Sequence, residues 1–511
     1  MQELHTPSQA AQWLRQRVTG TLQSDSRKLA AGDGFIAWPG AAVDGRQFVD
    51  AALQKGAVAC LVERDGVAAW PLQGGERVAC YPGLKADTGA IAAEFFGRPS
   101  SALKVVAVTG TNGKTSTAWW LAQALSELPG DLALPCGMIG TLGVGRPPAA
   151  SDVRGFASSI TSTGLTTPDP VLLQRTLRHF HDNGLTACAM EASSIGIEEQ
   201  RLSGTHIDVA VFTNFTQDHL DYHGSMEAYW QSKRRLFAWP GLAAAVINVD
   251  DVQGAALADS LVASGIDVWT TSCLRPSRLQ ARDIAYGTQG LRFEVVEDGV
   301  ASVLQTRTIG TYNVSNLLGV IGAMRALGVP LKAAVQACSA LHPVPGRMEC
   351  LGGTAEPLVA VDYAHTPDAL SQALSALRPL AVQRAGRLWC VFGCGGDRDT
   401  SKRPLMGAIA AQKADHVVVT SDNPRGEKAE SIIAQILLGL PPCQKVDVQL
   451  DRSLAIADTV ARAAANDVVL LAGKGHEETQ EIAGVKHIFS DRAHAQQALQ
   501  KRPVSKAEAP A

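Results

Sequence analysis

Short apolar runs alternate with amphipathic, helix-like segments along almost the whole chain, and this alternation is typical of α/β folds built on mostly parallel sheets. Residues 1–100 predict a small α/β unit that contains the segments GDGFIAWPG and GAVACLVE. A middle portion opens with the apolar run 103–110, and further strands are predicted within 185–191, 206–215 and 243–251. The pattern therefore predicts α/β structure from the N-terminal unit through the middle of the chain.

A third portion begins near residues 344–350 and contains three predicted strands that each run into a polar loop. These segments are 387–399, 416–425 and 467–477. Ligands of open parallel sheets bind at the carboxyl ends of the strands. We therefore expect the three loops to meet at one site.

The length of the chain indicates how many domains to expect. At about 150 residues per domain, 511 residues suggest three domains. The pattern places them at 1–100, 101–345 and 346–511. The net charge of −3 argues against nucleic acid as a partner, because proteins that neutralise phosphates usually carry an excess of basic residues. A few well-placed Lys and Arg still suffice for one diphosphate.

The cysteines and the apolar runs indicate the cell compartment. Ten cysteines show no paired CxxC spacing, and Cys188 and Cys390 lie inside apolar runs, which is typical of reduced thiols in a cytosolic protein. The first residues lack the apolar core of a signal peptide. No run approaches 18 uninterrupted apolar residues, so the sequence predicts a cytoplasmic protein without a membrane segment.

The segment VAVTGTNGKTS has the composition of a phosphate-binding loop between a strand and a helix. Glycines let backbone N–H groups approach phosphate oxygens, and the helix N-terminus adds a favourable dipole. Lys114 can reach the β and γ phosphates, and the Thr115 hydroxyl suits Mg²⁺. Val108 stands where the full motif has its first glycine, and the alternative is a turn that binds no ligand. The predicted ATP contacts of this loop are Gly110, Thr111, Asn112, Gly113, Lys114, Thr115 and Ser116.

Three further motifs of the middle portion carry candidate side chains. Glu191 follows a predicted strand, and His219 lies in TNFTQDHLDYHG. Lys233 lies in YWQSKRRLF, which by itself is only a basic helical face. His219 alone would be read as a hydrogen-bonded structural histidine. TYNVSNLLG contains Asn313 and Asn316, which either contact a nucleotide or cap a helix.

These motifs, taken in order, resemble the Mur ligase family. The C-terminal segments PGRMEC, VDYAHTPDAL, FGCGGDRDTSKRPLMG, SDNPRGE and AGKGHE extend the match over nearly all of residues 103–492. Folylpolyglutamate synthases share the shortened phosphate loop, but they usually have Gly where this chain has Thr115. The resemblance implies a small N-terminal uridine-binding α/β unit, a central P-loop-type parallel-sheet ATPase domain and a C-terminal Rossmann-like domain.

The resemblance also implies a two-step reaction. ATP would phosphorylate the glutamyl side carboxylate of a UDP-linked muramyl dipeptide, and the amine of meso-diaminopimelate would then displace the phosphate. Lys114, Glu191, His219 and Lys233 are implied as catalytic, with Lys233 carbamylated by CO₂ so that it can hold a second Mg²⁺. A monomer is expected. The implied metal ligands are Thr115, Glu191, His219 and Lys233, and the further ATP contacts are Asn313, Asn316, Arg347, Asp362 and His365.

The muramyl dipeptide is expected to contact residues from the first two portions of the chain. The chain departs from the family pattern at 41–43, which lack the polar residues often found beside uracil. It also has Ile195 where His is frequent and Glu199 where Gln is common. The implied contacts are Ser24, Ser26, Ala41, Ala42, Val43, Thr166, Thr167, Ser193, Glu199 and Arg201.

The segment DNPR distinguishes diaminopimelate from lysine as the amino acid that the enzyme would add. Diaminopimelate has a second carboxylate where lysine has only hydrogen, and the planar fork of Arg425 suits that carboxylate. Asn423 can add a donor. The alternative for DNPR is an Asn-Pro turn with a solvated arginine. The implied amino-acid contacts are Arg398, Asp422, Asn423, Pro424, Arg425, Gly473 and Glu477.

Three rival functions remain at this point. A lysine-adding ligase is opposed by Arg425, and a folylpolyglutamate synthase is opposed by Thr115 and the long N-terminal unit. A nucleotide-binding switch without ligase chemistry is opposed by Glu191, His219 and Lys233, because a binder needs no second metal.

Overall fold

A computed structural model describes residues 1–40, 43–148, 160–287, 290–353, 355–441 and 445–502. It has the predicted α/β class, with helices between mostly parallel strands. The chain divides into two compact units. The first comprises Met1–Asn214, Glu227–Gln280 and Leu318–Cys338, and the second comprises Phe215–Met226, Ala281–Leu317 and Ser339–Ala511.

The start of the first unit is a five-stranded parallel sheet with the strand order β1-β5-β4-β3-β2. The strand ACLVE is buried along its whole length, because helices cover both faces of the sheet. This part contains β1 (Gln2–Glu3), α1 (Pro7–Arg15), β2 (Leu22–Gln23), β3 (Gly34–Ala37), α2 (Val49–Gln54), β4 (Ala59–Glu63), β5 (Val78–Tyr81) and α3 (Leu84–Phe95).

The rest of the first unit is built on a second sheet whose centre is parallel. Within this unit its strands run in the order β13-β12-β11-β6-β10-β7-β8-β9, where β12 is Ala244–Asn248 and β13 is Asp267–Ser272. Only the pairings of β8 with its neighbours β7 and β9 are antiparallel. The carboxyl ends of the central strands β6 and β10 are adjacent, since Val108 pairs with Glu191. These elements are β6 (Lys104–Thr109), α4 (Lys114–Ser126), β7 (Cys136–Gly140), β8 (Gly143–Gly145), β9 (Ile160–Thr161), α5 (Pro170–Asp182), β10 (Ala187–Glu191), α6 (Ser194–Glu198) and β11 (Val209–Phe212).

The chain then passes through elements that precede the C-terminal sheet. Strands β15 and β16 form an antiparallel hairpin in the second unit. The elements are α7 (Leu220–His223), α8 (Met226–Arg234), β12 (Ala244–Asn248), α9 (Val252–Leu261), β13 (Asp267–Ser272), β14 (Leu279–Gly287), β15 (Gly290–Glu297), β16 (Val300–Thr306), α10 (Tyr312–Ala326) and α11 (Leu331–Ser339).

The C-terminal sheet of the second unit has the order β17-β18-β22-β19-β20-β21 and is parallel except for β17. Alternate residues of its central strands enter two separate cores, one on each face. Its elements are β17 (Glu349–Leu351), β18 (Leu358–Asp362), α12 (Pro367–Gln383), β19 (Leu388–Phe392), α13 (Lys402–Lys413), β20 (His416–Thr420), α14 (Ala429–Leu437), β21 (Val446–Gln449), α15 (Arg452–Arg462), β22 (Val468–Ala472), β23 (Thr479–Ile482), β24 (Val485–Ile488) and α16 (Asp491–Gln500).

The cysteines and the helices agree with the sequence on two further points. The nine cysteines in the described part of the chain are free, and seven of them are buried. Across the described ranges, no helix has both the length and the apolar character that crossing a membrane requires.

Candidate active site

The phosphate loop joins the end of β6 to the start of α4, as predicted. Helix α4 begins at Lys114, and Gly113 before it has a φ of 85°, in the left-handed region that favours glycine. The Lys114 ammonium donates to the carbonyl oxygens of Gly110 and Thr111 at 2.9 and 2.7 Å. The first N–H groups of a helix lack intrahelical acceptors. The loop is therefore held in shape by its own lysine at a helix end suited to an anion.

Glu191 lies beside this loop and is completely buried at the end of β10. Its carboxylate accepts hydrogen bonds from the Thr115 hydroxyl at 3.0 Å and from the Thr141 N–H and hydroxyl at 2.7 and 3.2 Å. In the described ranges no Lys, Arg or His forms an ion pair with it. A buried carboxylate without a cationic partner is costly. Thr115 and Glu191 thus offer oxygen ligands of the kind that Mg²⁺ prefers.

Lys233 meets the same loop from helix α8. Its side chain is 1% exposed, and its ammonium donates to the Gly110 carbonyl at 2.7 Å and lies 4.4 Å from the ring centre of Tyr229. The neighbouring Arg234 is exposed. The interpretation of this segment as a basic surface face is therefore wrong for Lys233, because the helix turns that residue inward.

The residues predicted for the muramyl peptide form a connected group in the first unit. Thr167 donates to the Glu191 carbonyl at 2.8 Å and lies 3.1 Å from the Ser193 hydroxyl. The Arg201 guanidinium donates to the Thr167 carbonyl at 3.0 Å. The Thr166 hydroxyl is 3.0 Å from that of Thr141. These contacts place the residues predicted for the muramyl peptide next to Glu191, a predicted metal ligand.

Some of the residues predicted to contact the uridine portion of the substrate lie outside the described part of the chain. The Ser24 hydroxyl donates to Asp169 at 2.8 Å, and Asp169 caps helix α5. Sequence reasoning missed that role of Asp169, although Asp before Pro at the start of a helical run is a capping signal. Ser26 opens a short 3₁₀ turn, Val43 is half exposed, and Glu199 pairs with Lys85 at 2.6 Å. The predicted contacts Ala41 and Ala42 lie outside the described residues.

His219 belongs to the second unit and has a φ of 53°, just before helix α7. Its Nε2 lies 3.4 Å from the Asp218 carboxylate, and its side chain is 40% exposed. A left-handed φ is uncommon outside glycine, although His, Asn and Asp adopt it more often than other residues. The metal-ligating role of His219 stays a prediction.

Asn313 and Asn316 are both buried in the first turns of α10. Asn316 donates to the side-chain oxygen of Asn313 at 2.9 Å, and Asn313 donates to the Ile309 carbonyl at 2.7 Å. The helix begins at Tyr312, so neither asparagine occupies the residue that precedes it. Of the two interpretations, helix capping is therefore wrong for both.

The predicted ATP contacts of the second unit surround the end of β18. Asp362 accepts from the N–H groups of Met348 and Ala364, both at 2.8 Å, and burial raises the pKa of its carboxyl group. The Arg347 guanidinium lies 4.4 Å from the ring centre of Tyr363. Burial lowers the pKa of His365 to about 4, so this imidazole is neutral at pH 7.

Side-chain atoms of the two arginines predicted for the amino acid, Arg398 and Arg425, both lie near Gly395, in the loop after β19. Arg398 is exposed, and its guanidinium donates to the Asp397 carbonyl at 2.9 Å. A Cβ atom at Gly395 would lie 2.8 Å from Nη1 of Arg425 and 3.9 Å from Cγ of Arg398. Arg425 donates to the Gly396 carbonyl at 2.9 Å, and its Nε lies 3.9 Å from the Glu481 carboxylate. Its side chain is only 24% exposed. The alternative of a freely solvated arginine in an Asn-Pro turn is therefore wrong.

Beside the arginines, Asn423 and Glu477 are joined by a buried lysine that sequence reasoning did not select. Lys474 is completely buried and donates to the side-chain oxygens of Asn423 and Glu477 at 2.9 and 2.8 Å. Asn423 donates in turn to Glu477 at 2.8 Å. Gly473 has a φ of 117°, and a Cβ atom there would collide with the Asp422 carboxylate. The loops after β20 and β22 thus meet, as their positions at strand ends predicted.

A completely buried ion pair, also missed from the sequence, supports these two loops. Arg452 and Asp491 are both 0% exposed and share two hydrogen bonds of 2.7 Å. Arg452 also donates to the carbonyl oxygens of Ser421 and Ala472, where β20 and β22 end, at 3.3 and 2.9 Å. The partners are 39 residues apart, and no local motif marks them.

Comparisons with known proteins cover nearly the whole chain. The models for the Mur ligase family catalytic domain, the Mur ligase middle domain and the Mur ligase glutamate ligase domain match residues 20–91, 108–324 and 346–475. A UDP-N-acetylmuramoyl-L-alanyl-D-glutamate–2,6-diaminopimelate ligase of Acidovorax sp. (strain JS42) is 60% identical over 98% of this chain and 99% of its own length.

Solved structures give the same picture. A structure of UDP-N-acetylmuramoyl-L-alanyl-D-glutamate–2,6-diaminopimelate ligase is 35% identical, with a TM-score of 0.63 over 94% of each chain. The MurF ligase of Thermotoga maritima in complex with ADP is 20% identical, with a TM-score of 0.67 over 95% of this chain and 99% of its own, and shares the fold. The identity and coverage of the Acidovorax relative, together with the three family models, establish that this chain belongs to the Mur ligase family.

Proposed function

We propose that this protein is the ATP-dependent ligase that adds meso-2,6-diaminopimelate to the D-glutamate side carboxylate of UDP-N-acetylmuramoyl-L-alanyl-D-glutamate, a step in peptidoglycan precursor synthesis. The observation that carries the proposal is the pair of arginines near Gly395, with Arg425 held by the Gly396 carbonyl. A guanidinium fixed in this way matches the second carboxylate of diaminopimelate, which lysine lacks. The names of the relatives described above agree with this choice.

The proposed reaction has two steps, formation of an acyl phosphate and formation of the amide. A glutamyl carboxylate oxygen attacks the γ-phosphorus of ATP, which gives an acyl phosphate and ADP. The free amine of diaminopimelate then attacks the acyl carbon, the C–O bond to phosphate breaks, and the attacking nitrogen loses one proton to give the amide. The acyl phosphate makes phosphate, rather than hydroxide, the leaving group, so the amide can form in water.

In the first step, Lys114 would neutralise the charge that develops on the transferred phosphoryl group. The phosphate loop that would bind ATP comprises Gly110, Thr111, Asn112, Gly113, Lys114, Thr115 and Ser116. The proposal is supported by the two hydrogen bonds of Lys114 to carbonyls of that loop, which keep its ammonium beside the loop. Asn313, Asn316, Arg347, Asp362 and His365 are proposed as further ATP contacts.

We also propose that Thr115 and Glu191 hold Mg²⁺, with His219 and a carbamylated Lys233 completing the metal ligands. The support is the buried Glu191 carboxylate, which hydrogen-bonds only to neutral groups in the described ranges. A bound Mg²⁺ would neutralise phosphate charge. Carbamylation would turn the Lys233 cation into an anion, and the carbamate nitrogen would keep one N–H for the Gly110 carbonyl.

The experiment combines purified protein with UDP-N-acetylmuramoyl-L-alanyl-D-glutamate, ATP and diaminopimelate, and follows phosphate release and product mass. The expected result is one phosphate for each amide, and release that needs both the dipeptide and the amino acid. Phosphate release with a folate and glutamate instead would favour the folylpolyglutamate synthase alternative. Nucleotide binding with no amide formed under any of these conditions would favour the alternative of a nucleotide-binding switch without ligase chemistry.

A further inference from the structure

We propose that Arg403 and Glu427 are positioning residues for the amino acid, and that their ion pair holds the two carboxylate-binding arginines, Arg398 and Arg425, side by side. This inference rests on the proposed function. It concerns two residues to which neither the sequence motifs nor the family resemblance gave a role.

The pair is bidentate and lies largely inside the protein. Arg403 is completely buried in the first turn of α13, and its two terminal nitrogens donate to the two oxygens of Glu427 at 2.9 and 2.8 Å. Two parallel charge-assisted hydrogen bonds fix orientation as well as distance. The Arg403 guanidinium holds the pKa of Glu427 down at about 2.

Both members of the pair reach into the loop that carries Arg398. Arg403 donates to the Gly395 carbonyl at 3.1 Å, and Glu427 accepts from the N–H of Asp397 at 2.6 Å. Gly395 is the residue near which side-chain atoms of both arginines lie, and Asp397 directly precedes Arg398. The ion pair thus holds the backbone at two positions directly before Arg398.

The same pair fixes the loop that carries Arg425. Glu427 is two residues after Arg425, and between them the N–H of Gly426 donates to the Asp397 carboxylate at 2.9 Å. Arg425 has a φ of 51°, a left-handed conformation that a non-glycine residue adopts only when its surroundings impose it. The Glu427 contacts are part of those surroundings.

Electrostatics explains why such a brace is needed. Arg398 and Arg425 are two cations whose side chains both approach Gly395, and like charges repel each other before the substrate carboxylate arrives. Without the brace, the two loops would relax apart, and the substrate would have to bring them together. Fixing the geometry in advance removes that cost from binding.

The test must separate positioning from stability. Glu427→Gln alone would leave the buried Arg403 without its partner, which is destabilising in itself. The double variant Arg403→Met/Glu427→Gln removes both charges and keeps an oxygen for the Asp397 N–H, and it also removes the hydrogen bond of 2.8 Å from Arg403 to the Gln435 side chain. Its matched control is Arg462→Met/Asp447→Asn, which removes an exposed ion pair of 2.7 Å from the same unit.

Steady-state kinetics and thermal unfolding are measured for both double variants and the wild type. The expected result for Arg403→Met/Glu427→Gln, assayed below its melting temperature, is a KM for diaminopimelate raised roughly tenfold or more, with the KM values for ATP and the muramyl dipeptide near those of the wild type. The control should match the wild type throughout. A folded variant with the wild-type KM for diaminopimelate would overturn the inference.

A second variant covers the case in which the double variant does not fold. Glu427→Asp keeps the charge but withdraws the carboxylate by one methylene, so a folded Glu427→Asp protein should still show a raised KM for diaminopimelate. An unchanged KM in that variant overturns the inference as well. If the wild-type protein itself does not couple diaminopimelate, the proposed function fails instead, and the two failures are therefore distinguishable.

Discussion

Replacing Arg425 with alanine should specifically impair the use of diaminopimelate. In the structure the Arg425 side chain is 24% exposed, and its Nη1 donates to the Gly396 carbonyl at 2.9 Å. The remaining N–H groups would bind the second carboxylate of the substrate. Hydrogen bonds to charged groups are worth about 1.5–3 kcal/mol, so kcat/KM for diaminopimelate should fall roughly 10- to 150-fold.

Two comparison variants make this measurement specific. Arg425→Lys keeps the charge but cannot form the two-pronged contact, so its kcat/KM should lie between those of wild type and Arg425→Ala. Arg462→Ala removes an exposed arginine of the same unit and should leave kcat/KM unchanged. The assay is phosphate release at varied diaminopimelate with ATP and dipeptide saturating. An Arg425→Ala enzyme with wild-type kcat/KM would refute the role given to this arginine.

Three further predictions concern Lys114 of the phosphate loop, the buried Lys233 and the buried ion pair of Arg452 and Asp491. Lys114→Ala should abolish ATP-dependent turnover while the circular dichroism spectrum stays that of wild type; retained activity would contradict the role of the loop. Lys233 should give a carbamate signal in ¹³C NMR after incubation with labelled bicarbonate, and both Lys233→Ala and Lys233→Arg should be inactive; a wild-type spectrum without that signal would count against carbamylation. Asp491→Asn should lower the free energy of unfolding of the second unit by about 3–5 kcal/mol, because Arg452 would stay buried without its partner; a urea midpoint equal to that of wild type would show that the pair is not needed.

The sequence predicted the fold well wherever the signal was local. The strand, loop and helix around Lys114 follow from consecutive residues, so the sequence suffices to place Lys114 at the start of α4. The three strands of the C-terminal sheet that run into polar loops were likewise visible as apolar runs, because both faces of a parallel sheet are covered. The boundaries 1–100, 101–345 and 346–511 stay a prediction, and so does the cytoplasmic location.

The parts that the sequence did not predict depend on contacts between distant residues. Taken alone, the segment around Lys233 was interpreted as a basic surface face because Arg234 and Arg235 follow the lysine. The burial of Lys233 depends instead on what helix α8 packs against. Lys474 lies in the AGKGHE segment, three residues before its partner Glu477, but its burial against Asn423 could not be predicted, since Asn423 lies 51 residues earlier. A motif can show which residues reach a ligand, but it does not show which residues hold them in place.

The structure supports the proposed roles of the site residues to different degrees. Arg398, Arg425, Asn423 and Glu477 lie in loops that meet, and this agrees with one amino-acid site. For His219 the structure gives a local conformation only, and its role as a metal ligand depends on the resemblance. A direct measurement of bound metal in His219→Ala would separate a ligand from a structural histidine.

The most direct test of the account is a competition between meso-diaminopimelate and L-lysine at equal concentration, with the wild-type protein, ATP and the UDP-linked muramyl dipeptide. The products are separated by mass. The account predicts that the diaminopimelate amide forms at least about tenfold faster than the lysine amide, since one charge-assisted contact alone discriminates by that factor. Equal incorporation of the two amino acids, or a preference for lysine, would contradict it.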